Sequence, residues 1–475
     1  MPNGGKLGWP DHESGYQLVD RTQPYRTPCQ RKADPQRELP PGGEDYSWPP
    51  RDEEAVYESF GKHLDLVRPA RLRARRACVN RGALARVEKT YRKVRAHYEL
   101  ETPEGEEKFK RILGQLNHKG STGLGQFSRF STIGDALGWD GIQCTNDGQV
   151  NVLRECLRRR LEELSKGPGG QCDLKVFVKD EPTSRKKVKA GRYRLIFCFD
   201  LVDQVVDRWL FTEMVEDEIE THEGSRIGWS PLPYWADYVH KMKSPTLATD
   251  CSAFDWTYPC AIAMQLAGVR AARVDADEHW SRVIANRYAE VLGPYCRVRM
   301  PNGLVLQQTG WGFMKSGWFL TISDNSFCQL VLVASAALDI GIRPPYTWAM
   351  GDDVIMTWRH PGREEDMVRA LEAYGVIIKH HTPEPEFAGF RISRGTRRYG
   401  PSVVVDPLYP QKHAFVLRHA SDADLQELVD AYAVVYAARD QSKSCAVARF
   451  VESRTSLNVR VLDAWADNVP GVGCI

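Results

Sequence analysis

Two short apolar runs, Tyr346–Met350 and Val354–Trp358, flank the tripeptide Gly351-Asp352-Asp353. β-prone residues on both sides of a glycine-containing break predict two strands joined by a tight turn, with two carboxylates at its tip. Upstream, Thr246–Asp250 reads as another strand, followed by a turn of small residues and an amphipathic helix from Ala261 to Arg270. The glycine-containing run Gln308–Phe313 predicts a loop. Helical character follows Gly317, with Thr321 and Asn325 four apart on one face. Over residues 362–374, Arg363, Glu364 and Glu365 face outward and Met367 and Leu371 inward, an amphipathic helix ended by Gly375. The strand Val376–Lys379 comes next. Residues 56–165 are mainly helical in pattern, and Ser421 with Asp424 forms a capping box for a helix through Ala438. Pro40-Pro41-Gly42-Gly43 and Pro49-Pro50 break any regular element near the start. Residues 1–55 are therefore expected to be an extended arm that wraps a folded body or stays disordered.

A chain of 475 residues is too long for one ordinary core and suits several lobes. Its net charge is only +2, so nucleic-acid binding would have to come from local patches. Between Arg68 and Arg95, the cations Arg71, Arg73, Arg75, Arg76, Arg81, Arg86, Lys89, Arg92, Lys93 and Arg95 face a single acid, Glu88. That patch reads equally as a solvated helix surface or as an RNA contact. A sharper cluster, Lys179, Lys186, Lys187, Lys189, Arg192 and Arg194, brackets a turn at Ala190-Gly191. The 12 cysteines include no Cys-x-x-Cys pair, which argues against zinc fingers and a dense disulfide framework and for a reducing compartment. His380-His381 lacks a third ligand in sequence. No signal peptide is visible at Met1–Gly5. The most apolar run, Phe327–Leu338, is interrupted by Gln329 and Ser335 and reads as core rather than as a membrane span.

The acidic residues carry the chemistry. A carboxylate at the C-terminal end of a strand, as at Asp250, sits where open sheets place their sites. Two adjacent carboxylates at a hairpin tip repel by roughly 4 kcal/mol when about 4 Å apart at an effective dielectric near 20. A hard cation such as Mg²⁺ removes that penalty. On neighbouring strands, Asp250 and Asp352 would share two metal ions about 3.5–4 Å apart, an arrangement that stabilises the attacking and leaving oxygens of phosphoryl transfer. Asp255 would point away from the metals, towards something else in the pocket.

In chain order, Asp250-x-x-x-x-Asp255, Ser316-Gly-x-x-x-Thr321-x-x-x-Asn325 and Gly351-Asp352-Asp353 resemble motifs A, B and C of viral RNA-dependent RNA polymerases. Phe177-Val178-Lys179-Asp180-Glu181-Pro182, with the cations that follow up to Arg194-Leu195-Ile196, resembles the basic motif F. Leu201-Val202-Asp203-Gln204-Val205-Val206 and Ile227-Gly228-Trp229-Ser230 are similar to the polymerases of sobemoviruses, poleroviruses and their relatives, and Phe387–Arg391 resembles the motif E hairpin that grips a primer strand. The resemblance covers roughly residues 170–395.

The resemblance implies an α+β right-hand polymerase with an antiparallel palm sheet backed by helices. Its lobes would be an arm over 1–55, fingers over 56–245 with motif F near 175–196, palm over 246–269 and 306–385, a fingers insertion over 270–305, and motif E with the thumb over 386–475. It implies template-directed RNA synthesis with two Mg²⁺ (or Mn²⁺) ions held by Asp250 and Asp352, with Asp353 tuning or contacting one. Arg194 and Lys179, then Lys186, Lys187, Lys189 and Arg192, would meet the triphosphate. Asp255, Ser316 and Asn325 would sense the ribose, with Thr321 in the same nucleotide site, and Lys379 would be the general acid for pyrophosphate. The implied partners are template and nascent RNA, nucleoside triphosphates and other viral replicase proteins, with initiation either primer-independent or from a protein primer, the latter favoured by the sobemovirus resemblance. The implied location is the host cytoplasm, in membrane-associated replication complexes. A non-catalytic viral RNA-binding protein, resting on the Arg68–Arg95 patch, is the alternative. A P-loop at Gly312–Ser316 fails, because Met314 rather than glycine precedes Lys315.

Overall fold

Helices and antiparallel sheets are mixed in a computed structural model of the chain, which describes residues 15–29, 40–74, 78–96, 98–230, 238, 241–242, 245–397 and 400–466. At its centre is a four-stranded sheet in the order Ile378–Thr382, Thr246–Cys251, Asp353–Thr357, Thr347–Met350, every neighbouring pair antiparallel. Side chains alternate across a strand, and here the alternation separates two cores. Leu247, Ala349, Val354 and Met356 pack into one, while Ala248, Trp348 and Ile355 pack into the other. Burial on both faces explains why these strands read as unbroken apolar runs. Gly351 closes the hairpin with φ +65, a left-handed conformation that glycine adopts without steric cost.

The helix Thr321–Asp339 runs through the larger core, with every residue from Ser323 to Ala337 buried. It packs against the Thr347–Met350 strand and against the Arg81–Glu88 helix. A helix covered on all sides needs no amphipathic stripe, which is why its sequence shows a nearly continuous apolar run.

A five-stranded sheet joins Tyr16–Arg21, Leu304–Gln308, Arg297–Arg299, Leu174–Val178 and Leu195–Cys198 in that order. Its Leu174–Val178 and Arg297–Arg299 strands pair in parallel, the others antiparallel. The described part of the N-terminal arm is extended and held at two places. Tyr16–Arg21 pairs with Leu304–Gln308, and Tyr46–Ser47 pairs with Thr183–Ser184. The rest of that arm (residues 1–14 and 30–39, hence Met1–Gly5) and Arg75 and Arg76 of the basic patch lie outside the described residues.

Three expectations change. The strand expected at Val376–Lys379 runs from Ile378 to Thr382 instead. Gly375 turns the chain at φ +93 and Val376 plunges into the core, so ladder pairing starts later and takes in the polar His380 and His381. The hairpin expected at Phe387–Arg391 is there, Glu386–Phe387 pairing antiparallel with Phe390–Arg397, but its second strand runs on into a longer pairing with Gly400–Pro407. Of the four described helices that follow, Asp422–Tyr436 ends short of Ala438. At its start, Ser421 Oγ accepts the Asp424 N–H at 3.1 Å, as a capping box requires, but the Asp424 carboxylate takes the Ser421 hydroxyl rather than closing the box. Among the described residues every cysteine is a free thiol, and no helix is long and apolar enough to cross a membrane.

Candidate active site

The register of the central sheet sets Asp353 directly opposite Asp250, with Asp352 one residue earlier in the turn. His380 flanks Asp250 on the other side, and an irregularity between Ile378 and His380 falls at Lys379. Lys379 Nζ lies 2.6 Å from Asp250 Oδ2. Three carboxylates and one ammonium thus gather at one end of one sheet. Burial, then Asp352 and Asp250, push the Asp353 carboxyl up to about 7 against the opposing pull of Lys379. Asp352 is exposed, yet the protein packed around its carboxyl displaces much of its hydration. That desolvation, followed by the charges of Asp255 and Asp250, raises its pKa, while Arg194 opposes.

These residues suit a hard divalent cation. Among the described residues no three His, Cys, Asp or Glu side chains already form a cluster able to hold a metal alone. Mg²⁺ does not need one, because it is commonly bound by one or two carboxylates, with water and substrate phosphate completing its shell. Asp250 and Asp352 supply such oxygens, and the unbalanced negative field seen at Asp353 is what a cation would relieve. His381 is turned to Glu365, with Nε2 3.3 Å from its carboxylate.

Asp255 faces a different pair. Ser316 donates its hydroxyl to Oδ2, and Asn325 Nδ2 donates to Oδ1 at 2.9 Å. Asn325 Oδ1 is buried without a partner. The loop leading to this cluster crosses the Leu195–Cys198 strand, where Ser316 O accepts the Phe197 N–H at 2.8 Å. A Cβ on Gly317, whose φ is +112, would lie 2.5 Å from Phe197 O, so the crossing requires glycine. Thr321 does not join the cluster at Asp255. Its hydroxyl lies 2.9 Å from Lys315 O and 2.8 Å from Trp318 O, and so braces the loop at the helix start.

The basic segment reaches this end of the sheet unevenly. Lys179 N–H bonds Arg194 O at 2.8 Å, extending the strand pair beneath, and Lys179 Nζ lies 3.0 Å from Glu181. Arg194 is exposed and acts electrostatically on both Glu181 and Asp352. Crowding and then Lys379 lower the Lys187 pKa, with Glu181 and Asp250 opposing, so Lys187 too shares the field of the carboxylates. Lys186 and Lys189 are exposed on the short helix Arg185–Lys189, and half-buried Arg192 follows it. The Arg68–Arg95 patch is partly spent inside the protein. Arg71 stacks 3.5 Å from the Phe313 ring centroid, whereas Lys93 pairs with Asp275 at the exposed surface. Arg81, Arg86, Lys89, Arg92 and Arg95 are exposed.

Sequence reasoning missed the supports behind the Gly351-Asp352 turn, Ser326 and Gln329. Gln329 did leave a signal, since an amide inside an apolar helix must find a hydrogen-bond partner. It also missed His222, which shapes the 222–226 loop. His222 Nδ1 accepts the N–H groups of Gly224 and Ser225 at 3.0 and 2.6 Å. Gly224 O and Arg226 N then bond both sides of Ala349 in the carboxylate hairpin, at 2.9 and 2.8 Å. Nδ1 must therefore be unprotonated. Burial, then Arg273, Arg226 and Arg270, depress the imidazole pKa to about 3. Its folded value lies below the ordinary 6.5, so the contribution is complete above about pH 6.5 and drains as pH falls towards 3, at about 1.4 kcal/mol per pH unit. The thermal midpoint should fall between pH 6.5 and 5, and the fall should be shallower in His222→Gln; identical slopes in the two proteins would contradict this.

Residues 102–393 match the family model of viral RNA-dependent RNA polymerases. The chain is 30% identical over 238 residues to the replicase polyprotein P2AB of Cocksfoot mottle virus, covering 47% of this chain and 23% of that protein. It is 31% identical over 239 residues to protein P1-P2 of Pea enation mosaic virus-1, covering 46% and 18%. It is 28% identical over 304 residues to the RNA-directed RNA polymerase of Mushroom bacilliform virus, covering 55% and 68%. The aligned segment thus spans about a fifth to a quarter of the first two relatives and about two thirds of the third. With that match running through the carboxylate hairpin, the Asp255 cluster and the basic strand pair, the chain belongs to the family of viral RNA-dependent RNA polymerases.

Proposed function

We propose that the chain is a template-directed RNA polymerase that joins ribonucleotides to the 3′-hydroxyl of a growing strand and copies a viral RNA genome. One observation carries this reading: Asp250 and Asp353 stand opposite each other across two antiparallel strands, with Asp352 in the adjoining turn. Asp250 and Asp352 would hold two Mg²⁺ or Mn²⁺ ions, with Asp353 tuning one; bound there, they would supply the Lewis acidity that helps ionise the 3′-hydroxyl and offsets the charge of departing pyrophosphate.

The other steps belong to side chains. Arg194, Lys179 and Lys187 orient the triphosphate, Arg by bidentate contact, with Lys186, Lys189 and Arg192 as outer cations. Asp255, Ser316 and Asn325 sense the ribose 2′-hydroxyl, and Thr321 braces the loop that presents Ser316. Lys379 gives a proton to pyrophosphate; its place beside Asp250 supports that role by putting its ammonium within the carboxylate cluster. The central sheet serves as palm, the sheet with the basic strands as fingers, and the C-terminal hairpin and helices as motif E and thumb. Template and nascent RNA, nucleotides, a protein primer and other replicase proteins are the partners, in cytoplasmic membrane-associated complexes.

Purified chain, an RNA template, four ribonucleotides and Mg²⁺ or Mn²⁺ should yield template-dependent incorporation. RNA binding with no incorporation under either ion, with or without an annealed primer, would favour a non-catalytic RNA-binding protein.

A further inference from the structure

The turn bearing Asp352 is held from behind by one helix. Gly351 donates its N–H to Ser326 Oγ at 2.9 Å, and that hydroxyl donates onward to Ile322 O at 2.7 Å. One helical turn later, Gln329 Nε2 donates to Asp352 O at 3.2 Å and to Cys251 Sγ at 3.4 Å. Both side chains are buried and their polar groups are taken up by protein partners, which leaves neither to bind an ion or nucleotide. Cys251 follows Asp250 in its strand, and a single primary amide therefore ties the backbone of Asp352 to the residue beside Asp250. Both amide hydrogens are used.

The turn needs such support. The ladder ends at the Asp353–Met350 pair, leaving the Gly351 N–H and Asp352 C=O without strand partners. A Gly-Asp turn can adopt several shapes, and leaving one of these groups unpaired in the interior costs about 1–3 kcal/mol. Ser326 and Gln329 therefore select one shape, the one that fixes where Asp352 stands relative to Asp250.

We infer that Ser326 and Gln329 are positioning residues that set the spacing of the Asp250 and Asp352 carboxylates and thereby the divalent-cation affinity of the site. The inference rests on the cation-binding role proposed above for those carboxylates and extends it to two side chains that touch neither ion nor substrate. It also explains the placement of three polar residues on one buried helix. Asn325 serves the Asp255 cluster, while Ser326 and Gln329 serve the Gly351-Asp352 turn.

Mn²⁺ binding to the full chain without nucleotide, read from the electron paramagnetic resonance of free Mn²⁺, tests this. Ser326→Ala and Gln329→Met should each weaken Mn²⁺ binding about tenfold, the usual scale for outer-shell partners of a metal site. Ser326→Thr should restore it, and RNA binding should be unchanged in all three. If Asp352→Ala leaves Mn²⁺ binding intact, the carboxylate assignment itself fails. If Asp352→Ala abolishes binding while Ser326→Ala and Gln329→Met bind as the parent does, the positioning role alone is overturned. A lowered thermal midpoint with unchanged Mn²⁺ affinity overturns it as well, marking a purely structural role. Should Ser326→Ala fail to fold, Gln329→Met decides, since its thioether chain fills nearly the same volume.

Discussion

Asp352→Ala is expected to cut nucleotide incorporation about a thousandfold, the loss of roughly 4 kcal/mol of transition-state stabilisation, while RNA binding is retained. Asp352 stands in an open turn and supports no buried element, so its removal leaves the sheet register intact. Asp250→Ala should be equally damaging for activity and should also free Lys379 from its partner. Asp353→Asn is the instructive contrast. It is assigned to tune one ion rather than to hold both, so neutralising it removes less of the binding site than removing Asp250 or Asp352 does. Its loss should be several-fold to tens-fold rather than complete. Single-turnover incorporation at saturating Mg²⁺ separates the three variants. Near-parental rates in both Asp250→Ala and Asp352→Ala would sink the assignment of the site.

Much of this arrangement was legible in the chain, and the reason differs from element to element. The carboxylate hairpin announced itself because Gly351 interrupts two apolar runs, and only a tight turn accommodates both. Which acid faces Asp250 was not legible. Register is fixed by partners distant in sequence, and a slip of one residue would have reversed every side chain. The hairpin Phe390–Arg397 with Gly400–Pro407 was missed because Arg391, Arg394 and Gly395 dilute its alternation. Gly395 is needed there for close packing, since a Cβ would lie 2.8 Å from a Val404 methyl. The basic patch misled in another way. A guanidinium can stack on an aromatic ring as readily as face solvent, and nothing local distinguishes Arg71, which stacks on Phe313, from exposed Arg81. The support from Ser326 and Gln329 depends on contacts between elements more than twenty residues apart, so the chain showed only that Gln329, like Ser335, interrupts an apolar run.

Asn325→Ala should erode the preference for ribonucleotides over deoxyribonucleotides about ten- to a hundredfold. The Asp255 carboxylate is already satisfied on both oxygens, by Ser316 and by Asn325 Nδ2, whereas Asn325 Oδ1 is buried with no partner. A ribose 2′-hydroxyl can donate to that oxygen, and a deoxyribose cannot. An acceptor left unpaired in the closed site costs about 1–3 kcal/mol, which corresponds to that loss of discrimination. Alanine removes the acceptor and with it the hydrogen bond that favours ribose. The effect should therefore lie mainly in a raised KM for ATP, with dATP incorporation little changed. Ser316→Ala should act more weakly, since it strips a donor from Asp255 without removing the open acceptor. Measuring kcat/KM for ATP and dATP on one template decides the matter. An equal fall for both sugars in Asn325→Ala would mean that Asn325 only holds Asp255 in place and does not read the hydroxyl.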